Sequence, residues 1–501
     1  MQSLHVHVSY SAMTALSSPP TPSRADAAPD SQKWDARLWG ALFVLCGALF
    51  LDGLDVSMVG VALPSIGADL GLSTSDLQWV VSGYVLGYGG LLLLGGRTAD
   101  IVGRRTVFLT AVAVFAVASL LGGVANDGAV LIATRFVKGV SAAFTVPAGL
   151  SIVTTTFREG PVRNRALAIY AACGATGFSA GLIFGGLLTE VGWRWTFLVP
   201  APVALAVLLA GMRLIPHDKV DPAERRSFDV AGAVSISAAM LVLVRTVVTA
   251  PDHGWGAPQT LVGFAIAAVL MASFLWLERR VRHPLVRLGI FRSGSLVRAN
   301  VGAVAVFGSY VSFQFIATLY LQSLLGWSAL ETALAFLPAG LLVASVAPRI
   351  GKVADRIGTA PILVGGFVAF VAGYLLFLRI DESPSYVTTI LPTMLLLGVG
   401  FALCFPALNM QATAGIEDHE QGLASGLVNT SFQVGGAVVL AITTAVVASQ
   451  AGLSTNPQTL IDAYRPALGV IAGLSAIGLI VALSGVLVRE RHSAAVNTID
   501  A

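Results

Sequence analysis

Charge is scarce in this chain: only 11% of its 501 residues are Asp, Glu, Lys or Arg, where a soluble domain has about 25%. So little charge cannot clothe a water-facing fold of this size, which sets aside soluble enzymes and soluble binding modules. The net charge of +3 is spread through short connections and not gathered on one domain, so no nucleic-acid partner is expected. Cysteine is nearly missing. Cys46, Cys173 and Cys404 are odd in number, scattered and set in apolar runs, a pattern that fits neither a disulfide framework nor a metal site. No metal and no cofactor is expected. No Gly-x-x-x-x-Gly-Lys-Ser/Thr loop occurs, so nothing supports nucleotide-driven work by this chain alone, and the seven histidines give no His-Glu-x-x-His. One literal Gly-x-Ser-x-Gly, from Gly177 to Gly181, sits inside an apolar run without the strand-turn-helix setting that exposes a nucleophilic serine.

What the chain has in abundance is apolar surface. Hydrophobic residues make up 55% of it, and mean hydropathy is +0.80. Apolar runs of about 20 residues suffice for roughly 30 Å of hydrocarbon. They lie near 38–64, 77–96, 106–124, 128–149, 164–188, 195–214, 228–249, 259–277, 297–323, 331–350, 360–378, 386–407, 421–448 and 465–488. The prediction is an all-α integral membrane protein with fourteen transmembrane helices.

An even number of spans puts both termini on one side. Of the 30 Lys and Arg residues, 24 fall in the tails and the even-to-odd connections or their rims. The positive-inside rule therefore places both termini in the cytoplasm of a cell-membrane protein. Arg194, Arg379 and Arg465 lie on the other side, and Arg135, Lys138 and Arg245 fall within spans. Residues 1–37 carry the turn-rich run Ser17 to Pro22 and read as a flexible cytoplasmic tail. Residues 278–298 read as a basic cytoplasmic linker, and 489–501 as a cytoplasmic C-tail.

The densest charge in the apolar part of the chain is the stretch Gly95 to Arg105, read as a short loop between the second and third spans. A related stretch returns 255 residues later: Gly96, Ala99, Asp100 and Gly103 recur as Gly351, Ala354, Asp355 and Gly358, with Lys352 in place of Arg97. Such a repeat points to two related halves.

Ionisable residues inside a span are functional candidates, because an unpaired charge in hydrocarbon costs at least a few kcal/mol. Asp52 and Asp55, three residues apart, share a face of the first span, and Arg135 and Lys138 repeat the spacing on the fourth. Counted inward from Pro64 and Asp127, Asp55 and Arg135 lie at one depth and Asp52 and Lys138 at another. The expectation is two pairs, Asp55 with Arg135 and Asp52 with Lys138. These loosen as protons or substrate bind, against the alternative of a permanent brace. Gly177, Gly181 and Gly185 line one helix face, with Gly186 beside them, and allow another helix to approach closely. Gln314, Gln322, Asn409, Asn429 and Gln433 are candidate cavity contacts. Trp79, Trp193, Trp195, Trp255 and Trp327 fall at span ends, as interfacial anchors do.

With fourteen spans and the repeated stretch in hand, the chain resembles the major facilitator superfamily, in its fourteen-span drug:proton antiporter branch. Leu54 to Pro64 is similar to the branch's first-helix motif, with Gly60 where Asn is usual. Arg135-Phe136-Val137-Lys138-Gly139 is similar to the arginine motif, with Lys138 in place of Gln. Gly177 to Gly186 is similar to the antiporter motif, with Leu182 in place of Pro, which predicts a straighter helix. Leu319 to Gln322 and Ser425 to Gly436 also resemble branch segments.

The resemblance implies two six-helix bundles, 38–214 and 299–488, with a two-helix insertion at 228–277. It also implies a gating role for Gly96, Arg97, Asp100, Gly103, Arg104, Arg105 and Asp355. The expected activity is proton-driven export of small amphipathic compounds or drugs across the lipid bilayer by a monomer. Its partners are then a small-molecule substrate and protons. The alternatives are a dedicated exporter of one metabolite, antibiotic or lipid and, in other classes, a transport-fold sensor or a membrane enzyme.

Overall fold

The computed structural model describes residues 34–158, 161–217, 230–281, 288–417, 420–451 and 456–499. The expected flexible tail through Lys33 and the core of the expected basic linker, 282–287, lie outside the described residues. Among the described residues the regular elements are helices, and fourteen segments are long and apolar enough to cross a membrane. We number these α1 (Ala36–Leu70), α2 (Thr74–Val102), α3 (Arg104–Gly123), α4 (Gly128–Thr156), α5 (Pro161–Val191), α6 (Trp195–Leu214) and α7 (Val230–His253). The remainder are α8 (Pro258–Glu278), α9 (Gly294–Leu324), α10 (Ala329–Ile357), α11 (Thr359–Phe377), α12 (Tyr386–Thr413), α13 (Gln421–Ala451) and α14 (Pro457–Ile499). The last helix runs through the stretch expected to be a C-tail.

Helix starts are written in short polar residues that satisfy the free N–H groups of the first turn. Asp35 accepts from Leu38 N at 2.7 Å, and Asp127 accepts from Ala129 N and Val130 N. Ser73 with Asp76, and Ser328 with Glu331, form capping boxes.

The stretch expected to be a loop between α2 and α3 is helix almost throughout. Asp100, Ile101 and Val102 continue α2, and only Gly103 breaks the chain before α3 starts at Arg104. The repeat does the same, with Gly358 between α10 and α11. Gly103 stands at φ +110° and Gly358 at φ +82°, conformations that cost little only without a Cβ. Their N–H groups close onto Ala99 O and Ala354 O, the matching positions of the two halves. The repeat in sequence is thus a repeat of one corner. We call the side with these two corners the basic face and the opposite side the distal face.

Helices α1–α6 pack on one another and α9–α14 on one another, while α7 and α8 pair and α7 leans on both α2 and α13. The two sets meet along α5 with α10, α2 with α13, and α1 with α9 and α10. At the distal face, Asp69 accepts from Trp193 Nε1 at 3.0 Å and from Arg194 Nη1 at 2.6 Å, and Arg194 reaches Asn126 Oδ1 at 2.9 Å. One arginine therefore ties together three connections, α1–α2, α3–α4 and α5–α6. Arg194→Ala is expected to lower the melting temperature slightly, as loss of a solvent-screened ion pair does. It should leave transport intact, which a thermal melt beside a transport assay checks.

A buried charge cluster and the candidate functional site

Asp52 and Asp55 lie near the middle of the 35-residue α1, and their surroundings are built by close helix contacts. A Cβ at Gly177 would meet Phe50 Cα at 2.8 Å, one at Gly181 Leu54 Cα at 2.8 Å, and one at Gly185 Met58 Cα at 2.8 Å. Each step of four on α5 is matched by four on α1, so the glycine face is a track along which α1 lies in parallel register. Gly186 faces the other way, toward Leu330 and Ala333 of α10. Leu182 is fully buried in an unbroken α5, as expected for a helix without the family's proline.

Asp55 is completely buried and forms ion pairs with both Arg135 and Lys138, each of them also buried. Arg135 Nε donates to Val80 O at 3.1 Å and its guanidinium sits 4.6 Å from the Tyr84 ring centroid. The Lys138 ammonium lies 4.5 Å from the centroid of Phe115 and 5.2 Å from that of Phe197. Aromatic faces thus supply part of what water would give these cations.

The expected pairing of Asp52 with Lys138 does not occur. Asp52, half-buried, accepts instead from the Tyr84 hydroxyl. Depth alone could not decide this, because three residues along a helix turn the side chain by about 300° and two long cationic arms span a full turn. Asp52 is turned toward α2, while both arms converge on Asp55. Tyr84 is the member that sequence reasoning missed; nothing in its local pattern marks it. If Asp55 is pinned by two cations and Asp52 holds a single phenol, Tyr84→Phe should fold normally and slow turnover roughly ten- to a hundredfold, as loss of one hydrogen bond to a charged group does. Turnover measured in reconstituted vesicles checks this.

The remaining expected site residues are dispersed. Gly96 and Arg97 lie on the last turns of α2, where a Cβ on Gly96 would touch Pro147 of α4 at 3.6 Å. The side chain of Asp100 lies outside the described side chains. Arg104 and Arg105 begin α3, and Arg105 Nη2 donates to Met212 O of α6 at 2.6 Å. Asp355 is exposed on the basic face. Asn409 and Asn429 donate back into their own helices, to Phe405 O and Ser425 O at 2.8 Å each. Gln433 lies against Gly89 of α2, and Gln314 and Gln322 reach α1. Of the expected tryptophan anchors, Trp195 and Trp255 are exposed, while Trp193 is buried.

A second arrangement was invisible in the sequence. Phe178 of α5 meets Tyr310 of α9 at 6.3 Å between ring centroids, and Tyr310 meets Phe401 of α12 at 4.9 Å. Phe401 stacks on Phe405 at 5.3 Å, and Phe405 meets Phe432 of α13 at 5.0 Å. These rings form a continuous array that crosses the seam between the two helix sets. Single aromatics in apolar runs carry no signal that separates such a wall from ordinary core.

The family model of the Major Facilitator Superfamily matches residues 45–440. The chain belongs to the Major Facilitator Superfamily. Within it, the chain is 36% identical to the puromycin resistance protein pur8 of Streptomyces alboniger, over 96% of this chain and 97% of that one. It is also 36% identical to the cephamycin export protein CmcT of Amycolatopsis lactamdurans, over 90% and 93%. The tetracenomycin C resistance and export protein of Streptomyces glaucescens is 33% identical over 86% and 80%. Among solved structures the superfamily fold recurs in the POT family transporter PepTSo, with a TM-score of 0.65 at 18% identity over 89% of this chain and 98% of that one. The superfamily assignment and the fourteen candidate spans make the chain a multi-pass membrane protein.

Proposed function

We propose that this chain is a secondary active exporter that moves small amphipathic or antibiotic-like molecules out of the cell in exchange for protons. Full-length similarity to resistance and export proteins supports the export half. The proton half rests on one observation, the charge cluster at mid-membrane.

With all four groups charged, Asp52, Asp55, Arg135 and Lys138 sum to zero. Adding a proton to Asp52 makes the sum +1, without disturbing the ion pairs at Asp55. Asp52 is the carboxylate placed to exchange protons, since it is half-buried and accepts from Tyr84 outside the ion pairs of Asp55. Asp55, Arg135 and Lys138 position it, and the glycine track of α5 transmits any shift of α1. The two corners at Gly103 and Gly358, with Arg97, Asp100, Arg104, Arg105 and Asp355, steer the opening of the basic face. That face is assigned to the cytoplasm, with both termini, by the positive-inside rule.

The aromatic array from Phe178 to Phe432 is the substrate wall, because a continuous run of rings at varied tilts accepts planar apolar bodies of varied shape. Transport, not catalysis, is the activity. Ser179, the serine of the literal elbow sequence, sits inside α5 and donates to Gly340 O at 3.2 Å.

The test is drug flux in cells or vesicles. Phe401→Ala and Phe405→Ala should shift the range of compounds carried and leave gradient dependence unchanged. A panel transported identically by wild type and both variants would remove the array from substrate recognition.

A further inference from the structure

The first helix carries Pro64 inside its length. Proline has no N–H, so the carbonyl of Gly60, four residues back, loses its helical donor at that point. Two glutamines of α9, from the other helix set, arrive at this break. The Gln314 carboxamide Nε2 lies 3.1 Å from where a Cβ of Gly60 would stand, and Gln322 Nε2 donates to Val61 O at 2.9 Å. Gly60 stands where the related motif has Asn, and Gln314 fills the room so released. Around Gln314 the seam is tight: Leu182, Tyr310, Phe313 and Met394 close a cavity of about 10 Å³, room for a single water.

We infer that the proline break of α1 and the two glutamines of α9 form a latch that holds the distal half of the seam shut in the state described here, and that must release for the distal face to open. The latch rests on the transport reading above, since only an alternating-access protein needs the seam to part. Three observations carry it. The contacts cross between the two helix sets, they lie on the distal side of the charge cluster, and they use amide groups that exchange partners with water at little cost. Neighbouring contacts close the same half: Leu330 N donates to Glu190 Oε1 at 3.3 Å, and Gly186 lies against Leu330 and Ala333. Gln322 is therefore a positioning residue whose partner is the α1 backbone, and Gln314 one that packs on Gly60. Their substitution acts on the balance between conformations, not on proton binding.

Electron–electron distance measurements test the latch in the full chain, with spin labels at Thr74 and Ser323, both exposed at the distal ends of α2 and α9. The three native cysteines are replaced by Ala. Gln322→Ala should raise the long-distance, distal-open fraction roughly fivefold, the effect of losing one net hydrogen bond, and Gln314→Ala should raise it by removing the side chain packed on Gly60. Gln322→Asn, one methylene shorter, should do the same in a protein of nearly unchanged composition. Gly60→Asn should open the seam by crowding Gln314, and Gly60→Asn combined with Gln314→Ala should be no more open than Gln314→Ala alone. Distance distributions unchanged across these variants would overturn the latch, as would a Gly60→Asn effect that adds in full to that of Gln314→Ala. The measurement needs neither substrate nor gradient. Shifted distances in a chain that shows no gradient-driven flux would sink the antiport reading and leave the latch standing.

Discussion

Asp55→Asn is expected to abolish gradient-driven transport and to destabilise the protein by about 3–5 kcal/mol, the cost of removing one partner from a buried ion pair. The reason is stoichiometric. Asp55 is the one carboxylate between two buried cations, and a neutral amide would leave Arg135 and Lys138 facing each other in hydrocarbon. Lys138→Gln supplies the contrast, because it removes the second cation and keeps the Asp55–Arg135 pair. That variant should fold with near wild-type stability while its transport changes. Thermal melts and flux measured side by side separate the two cases. An Asp55→Asn protein with wild-type stability and wild-type flux would show that the cluster is neither brace nor machinery.

The second large effect is expected at Gly181. A leucine there would drive into Leu54 Cα, 2.8 Å from the first added carbon, and into the Ser57 hydroxyl. Small-to-large changes in a packed core cost roughly 1–3 kcal/mol or more, but the functional loss should exceed that. Displacing α1 moves Asp52 and Asp55 away from Tyr84, Arg135 and Lys138 together. Gly181→Leu should cut flux at least tenfold even where folded protein is recovered, with Gly181→Ala intermediate. Flux in Gly181→Leu equal to wild type would mean that the α1–α5 track does not set the cluster's geometry.

The fold was legible because the membrane makes it so. Lipid demands about 20 apolar residues per span, and each of the fourteen runs found in the sequence became a helix. Two of the three basic residues on the distal face have structural roles: Arg194 clamps three distal connections, and Arg465 pairs with Asp462 at 2.9 Å and donates to Ile380 O at 3.1 Å. The glycine face of α5 was likewise visible, since four-residue spacing is itself a packing signal.

The charge cluster was legible only as a set of members. Which acid took which base depended on helix rotation and on side-chain reach, and a tyrosine from a third helix entered between them. The Gly95 to Arg105 stretch misled for a related reason. Its polar composition suggested a loop, but helix ends at a membrane surface are polar too, and a single glycine suffices for the corner. The aromatic array depended on contacts among four helices, which no local pattern encodes.

The most direct test of the account is antiport by purified protein in vesicles with an imposed pH gradient, comparing wild type with Asp52→Asn for one transported dye. The account predicts dye movement that follows the gradient in wild type, reverses when the gradient is reversed, and loses that dependence in Asp52→Asn. Dye movement indifferent to the gradient in wild type, or equally gradient-driven in Asp52→Asn, would contradict it.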